Sequence, residues 1–331
     1  MSLRFGHIIL IGGMLIVSLF SVKCKSNHAV IQGYGKLNTP EDNPTTDAKI
    51  ELGKKLFFDT RLSFDNTVSC ATCHVPAFGF TDRKKVSDGV SGRKTDRNSP
   101  SLLNSGYLPT VMFDAHLTSL EMQVIVPIQE HVEMGMKMSE VIARLKAIPE
   151  YQEAAREIFN RDFDPWVLSR SISAFERTLI SVNSRFDQYL YGKKEKAMTT
   201  EEIKGWKLFS EKLYCIACHP APYFTTYKAE NNGLYENYGT DQGRFRIDHD
   251  SSDIGKFKVP SLRNIELTFP YMHDGSFKNI DEIISHYENG GKIHWNKNSV
   301  IVPFKLSNKE RSQLKAFLWT LTDTSYMINF N

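Results

Sequence analysis

The chain has almost no excess charge to offer a partner. Its 41 Lys and Arg stand against 38 Asp and Glu, a net of +3 over 331 residues, with both signs spread along the chain rather than run together. That balance gives no basic stripe for nucleic acid, and neither a G-x-G-x-x-G nor a P-loop pattern occurs to cradle a nucleotide. Strand-like alternation is scarce. Long hydrophobic runs are also missing: the apolar stretch from Ile8 to Phe20, broken by Gly12, Gly13 and Ser18, is too short for a comfortable membrane span. Cysteine is sparse at five residues.

Four of those five fall in two copies of one pattern, Cys70-Ala-Thr-Cys73-His74 and Cys215-Ile-Ala-Cys218-His219. The Cys-x-x-Cys-His spacing lets two thiols add to the two vinyl groups along one haem edge while the next histidine swings beneath the ring to bind iron. It therefore predicts two covalently bound haem c groups, with His74 and His219 as proximal ligands. A thioredoxin-like redox pair or a zinc ribbon are the alternatives. A ribbon separates its pairs by about 15–20 residues, whereas 141 residues lie between Cys73 and Cys215. Neither alternative needs a histidine after each pair.

A chain of this length exceeds what one core usually serves, so two domains are expected, one per motif. Residues 1–24 read as an export signal, which agrees with haem attachment outside the bacterial cytoplasm and predicts a periplasmic protein. Cys24 sits where a lipid-bearing cysteine would, although Ser21-Val22-Lys23 departs from the small-residue pattern that normally precedes one. Cleavage near Ser26 and retention of the segment as a membrane anchor are the alternatives. Residues 25–46, with Gly33, Gly35, Pro40 and Pro44, read as a flexible leader. An N-terminal haem domain is expected over 47–192 and a C-terminal one over 197–331, whose tail can pack on the first; Gly192-Lys193-Lys194-Glu195-Lys196 is the linker.

The architecture should be mainly α. Asp47 and Ser139 are candidate helix caps, Pro165 opens a periodic stretch over 166–181, and Thr199-x-x-Glu202 and Ser307-x-x-Glu310 are capping boxes. The repeat is plain at the haem motif and weak elsewhere.

Around the motifs the chain resembles the bacterial di-haem cytochrome c peroxidase family, including its MauG-type branch, from about Glu51 to Thr322. The resemblance rests on Gly53-Lys-Lys-Leu-Phe-Phe-Asp59, Phe80-Thr-Asp82, Arg97-Asn98-Ser99-Pro100, Leu120-Glu-Met-Gln123 with Pro127 and Val132-Glu133-Met134, Phe175-Glu-Arg177, Val259-Pro-Ser-Leu-Arg263-Asn264 and Pro270-Tyr-Met-His273-Asp274-Gly275. It implies a peroxidatic haem in the first domain and an electron-entry haem in the second. Hydrogen peroxide would bind iron opposite His74, and Glu133, at the family's distal glutamate position, would move a proton between its oxygens. Gln123 would assist by hydrogen bonding or simply pack in the core. Asn98, with the carbonyls of Thr268 and Pro270, falls at the family's calcium positions, an oxygen donor set suited to a hard cation. Electrons would come from a small periplasmic cytochrome c or cupredoxin. Family members often dimerise, so a homodimer is expected.

Three departures matter. The position of the histidine that blocks the peroxidatic iron in typical members, seven residues before Arg97-Asn98, is Val90, and no histidine occurs between His74 and His116. The first haem should then be open without reductive activation. The second-haem ligand, methionine in simpler members and fourteen residues beyond the histidine of His-Asp-Gly, is Tyr287, as in MauG-like proteins; His286 and Met272 compete for the role, and an apolar helical stripe would equally put Tyr287 in a core. Finally, the family's inter-haem tryptophan is replaced by Phe113, with Tyr107 and Trp206 as possible stand-ins. Peroxide reduction is the leading reading. A MauG-like oxidase acting on side chains of a partner protein and a non-catalytic di-haem carrier are the alternatives.

Overall fold

A computed structural model describes residues 33–330. The export segment, Cys24 and the start of the leader lie outside the described residues; the rest of the leader is not loose as expected, because Tyr34 and Asn43 are buried and Asn43 Nδ2 donates to Glu121 Oε1 at 2.7 Å. Helix dominates, in agreement with the mainly α expectation. The first half contains α1 (Asp47–Phe57), α2 (Cys70–Cys73), α3 (Leu120–Gln123), α4 (Ile125–Gln129), α5 (Met138–Lys146), α6 (Pro149–Phe159), α7 (Pro165–Glu176) and α8 (Arg185–Leu190). The second half contains α9 (Thr200–Lys207), α10 (Phe245–Asp248), α11 (Ile280–Glu288) and α12 (Asn308–Trp319). Among the described residues, sheet is confined to the antiparallel pair β1 (Ala229–Glu230) and β2 (Phe257–Lys258).

Both capping boxes form, the Thr199 and Ser307 hydroxyls accepting from the amides of Glu202 and Glu310 while those carboxylates reach back. Two expected caps shift. Thr46 rather than Asp47 caps α1, leaving Asp47 in the first turn where a negative charge suits the helix dipole; Ser139 lies inside α5, which starts at Met138. The helix expected over 166–181 ends at Glu176, because the following residues leave the ladder to pair with another segment: the Asn104 amide donates to the Leu179 carbonyl at 2.7 Å.

Among the described residues two large apolar cores and a small third one, Val111 with Leu117 and Leu120, form. The first gathers Leu56, Phe57, Phe80, Ile128, Val141, Val167 and Phe175; the second gathers Phe186, Phe209, Phe224, Ile284, Phe317 and Leu321. Phe186 joins the second core although it precedes the Gly192 linker, and Tyr326 crosses back into the first.

The two halves are more alike than the motif alone suggested. α1 packs on α7 as α9 packs on α12. Gly53-Lys-Lys-Leu-Phe57 and Gly205-Trp-Lys-Leu-Phe209 occupy matching places, and each glycine lets a carbonyl of the crossing helix, Ser171 or Gln313, approach so closely that a β-carbon would collide with it. Pro100-Ser-Leu-Leu-Asn104 corresponds to Pro260-Ser-Leu-Arg-Asn264, with the two asparagines both left-handed at φ 63° and 59°. The segment 111–117 folds into a turn closed by a Val111–Leu117 bridge, as 271–277 does by Tyr271–Phe277. Ser119 and Asn279 then cap α3 and α11, so residues 160 apart correspond across this stretch.

Candidate active site

The proximal sides are built alike. His74 Nδ1 lies 3.0 Å from the Phe80 carbonyl, and His219 Nδ1 lies 2.9 Å from the Phe224 carbonyl. A carbonyl only accepts, so Nδ1 carries the proton and Nε2 keeps its lone pair for a metal. Phe80 and Phe224 are both left-handed, at φ 59° and 53°, a conformation costing of order 1–3 kcal/mol for a bulky residue. The surrounding packing enforces it: both rings are fully buried, and the Ser101 and Ser261 hydroxyls donate to the carbonyls just before them, at 2.5 and 2.6 Å to Gly79 and Tyr223. Cys70, Cys73, Cys215 and Cys218 are half-buried and form no disulfide, and desolvation raises the pKa of each thiol. Among the described residues no three His, Cys, Asp or Glu side chains converge on a metal position, so the two Cys pairs do not form a zinc ribbon.

A cavity of about 670 Å³ is continuous between the two motifs and touches Cys73, His74, Cys215, Cys218 and His219. Its lining differs between the two halves. In the first half it includes Gln123 at the end of α3, Pro127 in α4, and Glu133 on the turn after α4. Glu133 thus sits on a turn facing the cavity rather than as a surface charge on a helix. Its carboxyl has no hydrogen-bond partner among the described residues, and desolvation, with the nearby negative charges of Glu130 and Asp96, pushes it up to about 7. In the second half α11 supplies Ile280, Ile283, Ile284 and Tyr287. By the 160-residue correspondence Gln123 matches Ile283, and Pro127 matches Tyr287. One wall therefore has a side chain without any donor atom where the other has a phenol. The Tyr287 hydroxyl pKa is pushed up to about 12, chiefly by desolvation, with Asn232 hydrogen bonding opposing.

Of the competitors for Tyr287, His286 uses Nε2 on the Asn232 carbonyl at 3.1 Å, while Met272 borders the cavity with its sulfur 3.5 Å from Asn232 Nδ2. Asn98, Thr268 and Pro270 border the same cavity. Asn98 Nδ2 donates to the Lys84 carbonyl at 2.7 Å, and no described donor reaches Asn98 Oδ1 or the carbonyls of Thr268 and Pro270. Phe113 also lines the cavity. Val90 is fully buried in the first core, and its amide donates to the Glu133 carbonyl at 2.9 Å, so this position points away from the cavity while steadying the turn that bears Glu133.

Sequence reasoning missed Lys258. It borders the cavity from β2 with no ion pair or hydrogen bond to its ammonium among the described residues, and desolvation pushes it down to about 8. A lysine between Phe257 and Val259 in an extended stretch was the available signal. Arg97 and Arg246 also line the cavity, but both are bound to the fully buried Asp114, at 3.1 and 2.9 Å. A cavity with two neutral imidazoles, two thiol pairs and an unpaired cation has the chemistry to hold two anionic, iron-bearing macrocycles.

Residues 47–195 match the family described as di-haem cytochrome c peroxidase. With that match and the relatives below, the chain belongs to this family of haem-dependent oxidoreductases, and haem is its cofactor. It is 34% identical over 322 residues to the cytochrome-c peroxidase IdrP1 of Denitromonas iodatirespirans, covering 88% of this chain and 85% of that one. It is 36% identical over 284 residues to the methylamine utilization protein MauG of Methylorubrum extorquens, covering 85% and 80%. A solved MauG-like protein associated with microbial copper homeostasis superposes with a TM-score of 0.85 at 34% identity, over 91% of this chain and 97% of that one. The diheme peroxidase BthA from Burkholderia thailandensis shares the fold at a TM-score of 0.75 and 19% identity, over 90% and 92%. No described helix is long and apolar enough to cross a membrane.

Proposed function

We propose that the chain is a periplasmic peroxidase that reduces hydrogen peroxide to water with electrons from a small redox protein, a cytochrome c or a cupredoxin. Haem c would be attached through Cys70 and Cys73 in the first half of the chain and through Cys215 and Cys218 in the second, and His74 and His219 would hold the irons. Bound haem supplies the redox couple that passes electrons to peroxide. The observation that carries the roles is the unlike pair of walls at corresponding positions: Pro127 beside Glu133 in one half, Tyr287 in the other.

Pro127 has nothing to ligate with, so the first site keeps room for substrate. Glu133, with a pKa of about 7, accepts a proton from one peroxide oxygen and returns it to the other at neutral pH. Gln123 lines the same wall and its amide orients the substrate. Tyr287 would hold the second iron, and a hard anionic donor there would favour its oxidised states and reserve that site for electron entry. Lys258 would offer its unpaired ammonium to an acidic group of the bound haem. Asn98 Oδ1 and the Thr268 and Pro270 carbonyls hold calcium.

A MauG-like oxidation of a partner protein needs oxidising equivalents to be shared quickly between the haems, and Phe113, where the family's inter-haem tryptophan would stand, offers no readily oxidised indole. That favours peroxide as the terminal substrate. The decisive test mixes as-isolated, fully oxidised holoprotein with peroxide and a reduced cytochrome c or cupredoxin. Multiple turnovers without a lag are expected. A lag removed by prior reduction, or consumption of only one equivalent of peroxide, would overturn the reading.

A further inference from the structure

Five tyrosines from distant parts of the chain meet in one cluster. The Tyr34 ring lies 5.3 Å from Tyr223, 6.0 Å from Tyr107 and 6.1 Å from Tyr191, centroid to centroid, while Tyr223 lies 5.4 Å from Tyr107 and 5.8 Å from Tyr227. Tyr223 also borders the cavity and directly precedes Phe224, whose carbonyl holds His219. At the far side Tyr191 is half-exposed. The cluster thus runs without a break from the second haem site to the surface.

Burial raises the pKa of all five phenols. They are neutral, and a phenol that loses an electron must also lose its proton. One member has somewhere to send it: the Tyr34 hydroxyl donates to Asp187 Oδ1 at 2.9 Å. The other Asp187 oxygen is held by Ser184 and Arg263, which fixes the acceptor in place. The Arg263 guanidinium stands 5.2 Å over the Tyr34 ring and opposes a cationic ring there, so electron and proton must leave together. Tyr227, by contrast, has an enclosed hydroxyl with no partner and is a dead end.

We propose that this cluster is a redox relay: when no donor protein is present, electrons drawn past Tyr223 and Tyr107 come from Tyr34, whose proton moves to Asp187 Oδ1 in the same step, and the oxidised site rests at Tyr34 beside the partly exposed Tyr191. Each oxidation of Tyr34 gives up one electron and one proton, and re-reduction takes the proton back from Asp187. Two such oxidations convert one hydrogen peroxide to two waters, and a small one-electron reductant such as ascorbate restores Tyr34 after each. The inference rests on the peroxidase reading, which supplies the oxidant.

Holoprotein would be mixed with peroxide in the absence of donor, freeze-quenched and examined by paramagnetic resonance, with and without ring-deuterated tyrosine. The expected result is a radical signal that narrows on deuteration and is lost in Tyr34→Phe. Ring shape is retained in that variant, and Tyr107→Phe, which should weaken the signal, serves if Tyr34→Phe does not fold. A signal unchanged by deuteration, or no signal while peroxide is still turned over with a reduced donor, overturns the relay alone. Failure to consume peroxide under either condition overturns both readings.

Discussion

The two Cys-x-x-Cys-His sites begin from one template and part in the rest of the cavity wall. Each has a Cys-x-x-Cys-His turn, an imidazole tied to the carbonyl of a left-handed phenylalanine, a serine bracing the preceding carbonyl, and a glycine at a helix crossing. In the rest of the wall, Pro127 and Tyr287 stand at corresponding places, and only the first half carries a carboxyl raised into the neutral range there. Holding the iron from beneath is a generic task and tolerates duplication unchanged. Choosing between binding a substrate and closing the coordination sphere takes one or two side chains, and those are the ones that differ.

The largest expected effect comes from erasing the carboxyl. Glu133→Gln should keep both haems and lower peroxide turnover by about 10²–10⁴-fold, read in a steady-state assay. The parent rate should rise with pH through about 7 as the Glu133 base forms, and the variant should lose that limb. Stability moves the other way. The folded pKa lies above the ordinary 4.5, so folding favours the neutral acid; its contribution is intact below pH 4.5 and is lost as pH rises through 7. The loss is up to about 3 kcal/mol, so Glu133→Gln should raise the denaturation midpoint at pH 8 and leave it unchanged at pH 4.

A second pair of substitutions probes what the sites share. Gly53→Ala and Gly205→Ala each drive a β-carbon into a helix carbonyl, and each should cost roughly 1–3 kcal/mol or more in denaturant unfolding. A cost in one half alone would break the equivalence. Tyr287→Phe is milder: the low-spin spectrum of the second haem should change and its potential rise by on the order of 0.1 V, within the span axial ligands cover. An unaltered spectrum would return Tyr287 to plain packing. Smallest is Phe113→Trp, expected to quicken electron exchange between the haems in rapid mixing of half-reduced protein with peroxide. Equal rates would take position 113 off the electron path.

Much of this was legible in the residues. Cys-x-x-Cys-His fixes attachment chemistry by covalent spacing, and capping boxes such as Thr199 with Glu202 are local events that a sequence displays directly. Glu133 and Gln123 could be placed only through resemblance, since an isolated glutamate carries no mark of the wall it will face. The early end of α7 was hidden because Leu179 answers to Asn104, a partner 75 residues away. Lys258 was overlooked for the same kind of reason, as an unpaired ammonium is visible only once its surroundings are assembled. The duplication looked confined to the haem motif because its other copies, Gly-x-Lys-Leu-Phe and Pro-Ser-Leu-x-Asn, are short and separated by unequal insertions.

Tyr326 and Phe330 pack on Phe80, with centroids 5.9 and 5.3 Å away, and the Tyr326 hydroxyl donates to the Pro76 carbonyl at 3.1 Å. Phe80 is the residue whose carbonyl orients His74. A segment translated after both haem motifs thus finishes the housing of the earlier one. The second core draws on no residue beyond Leu321, so the second motif can be enclosed while the first still lacks part of its wall. Maturation need not follow the order in which the motifs emerge, and a chain stopped before Ser325 would be expected to carry its second haem in native surroundings and its first in a loosened one.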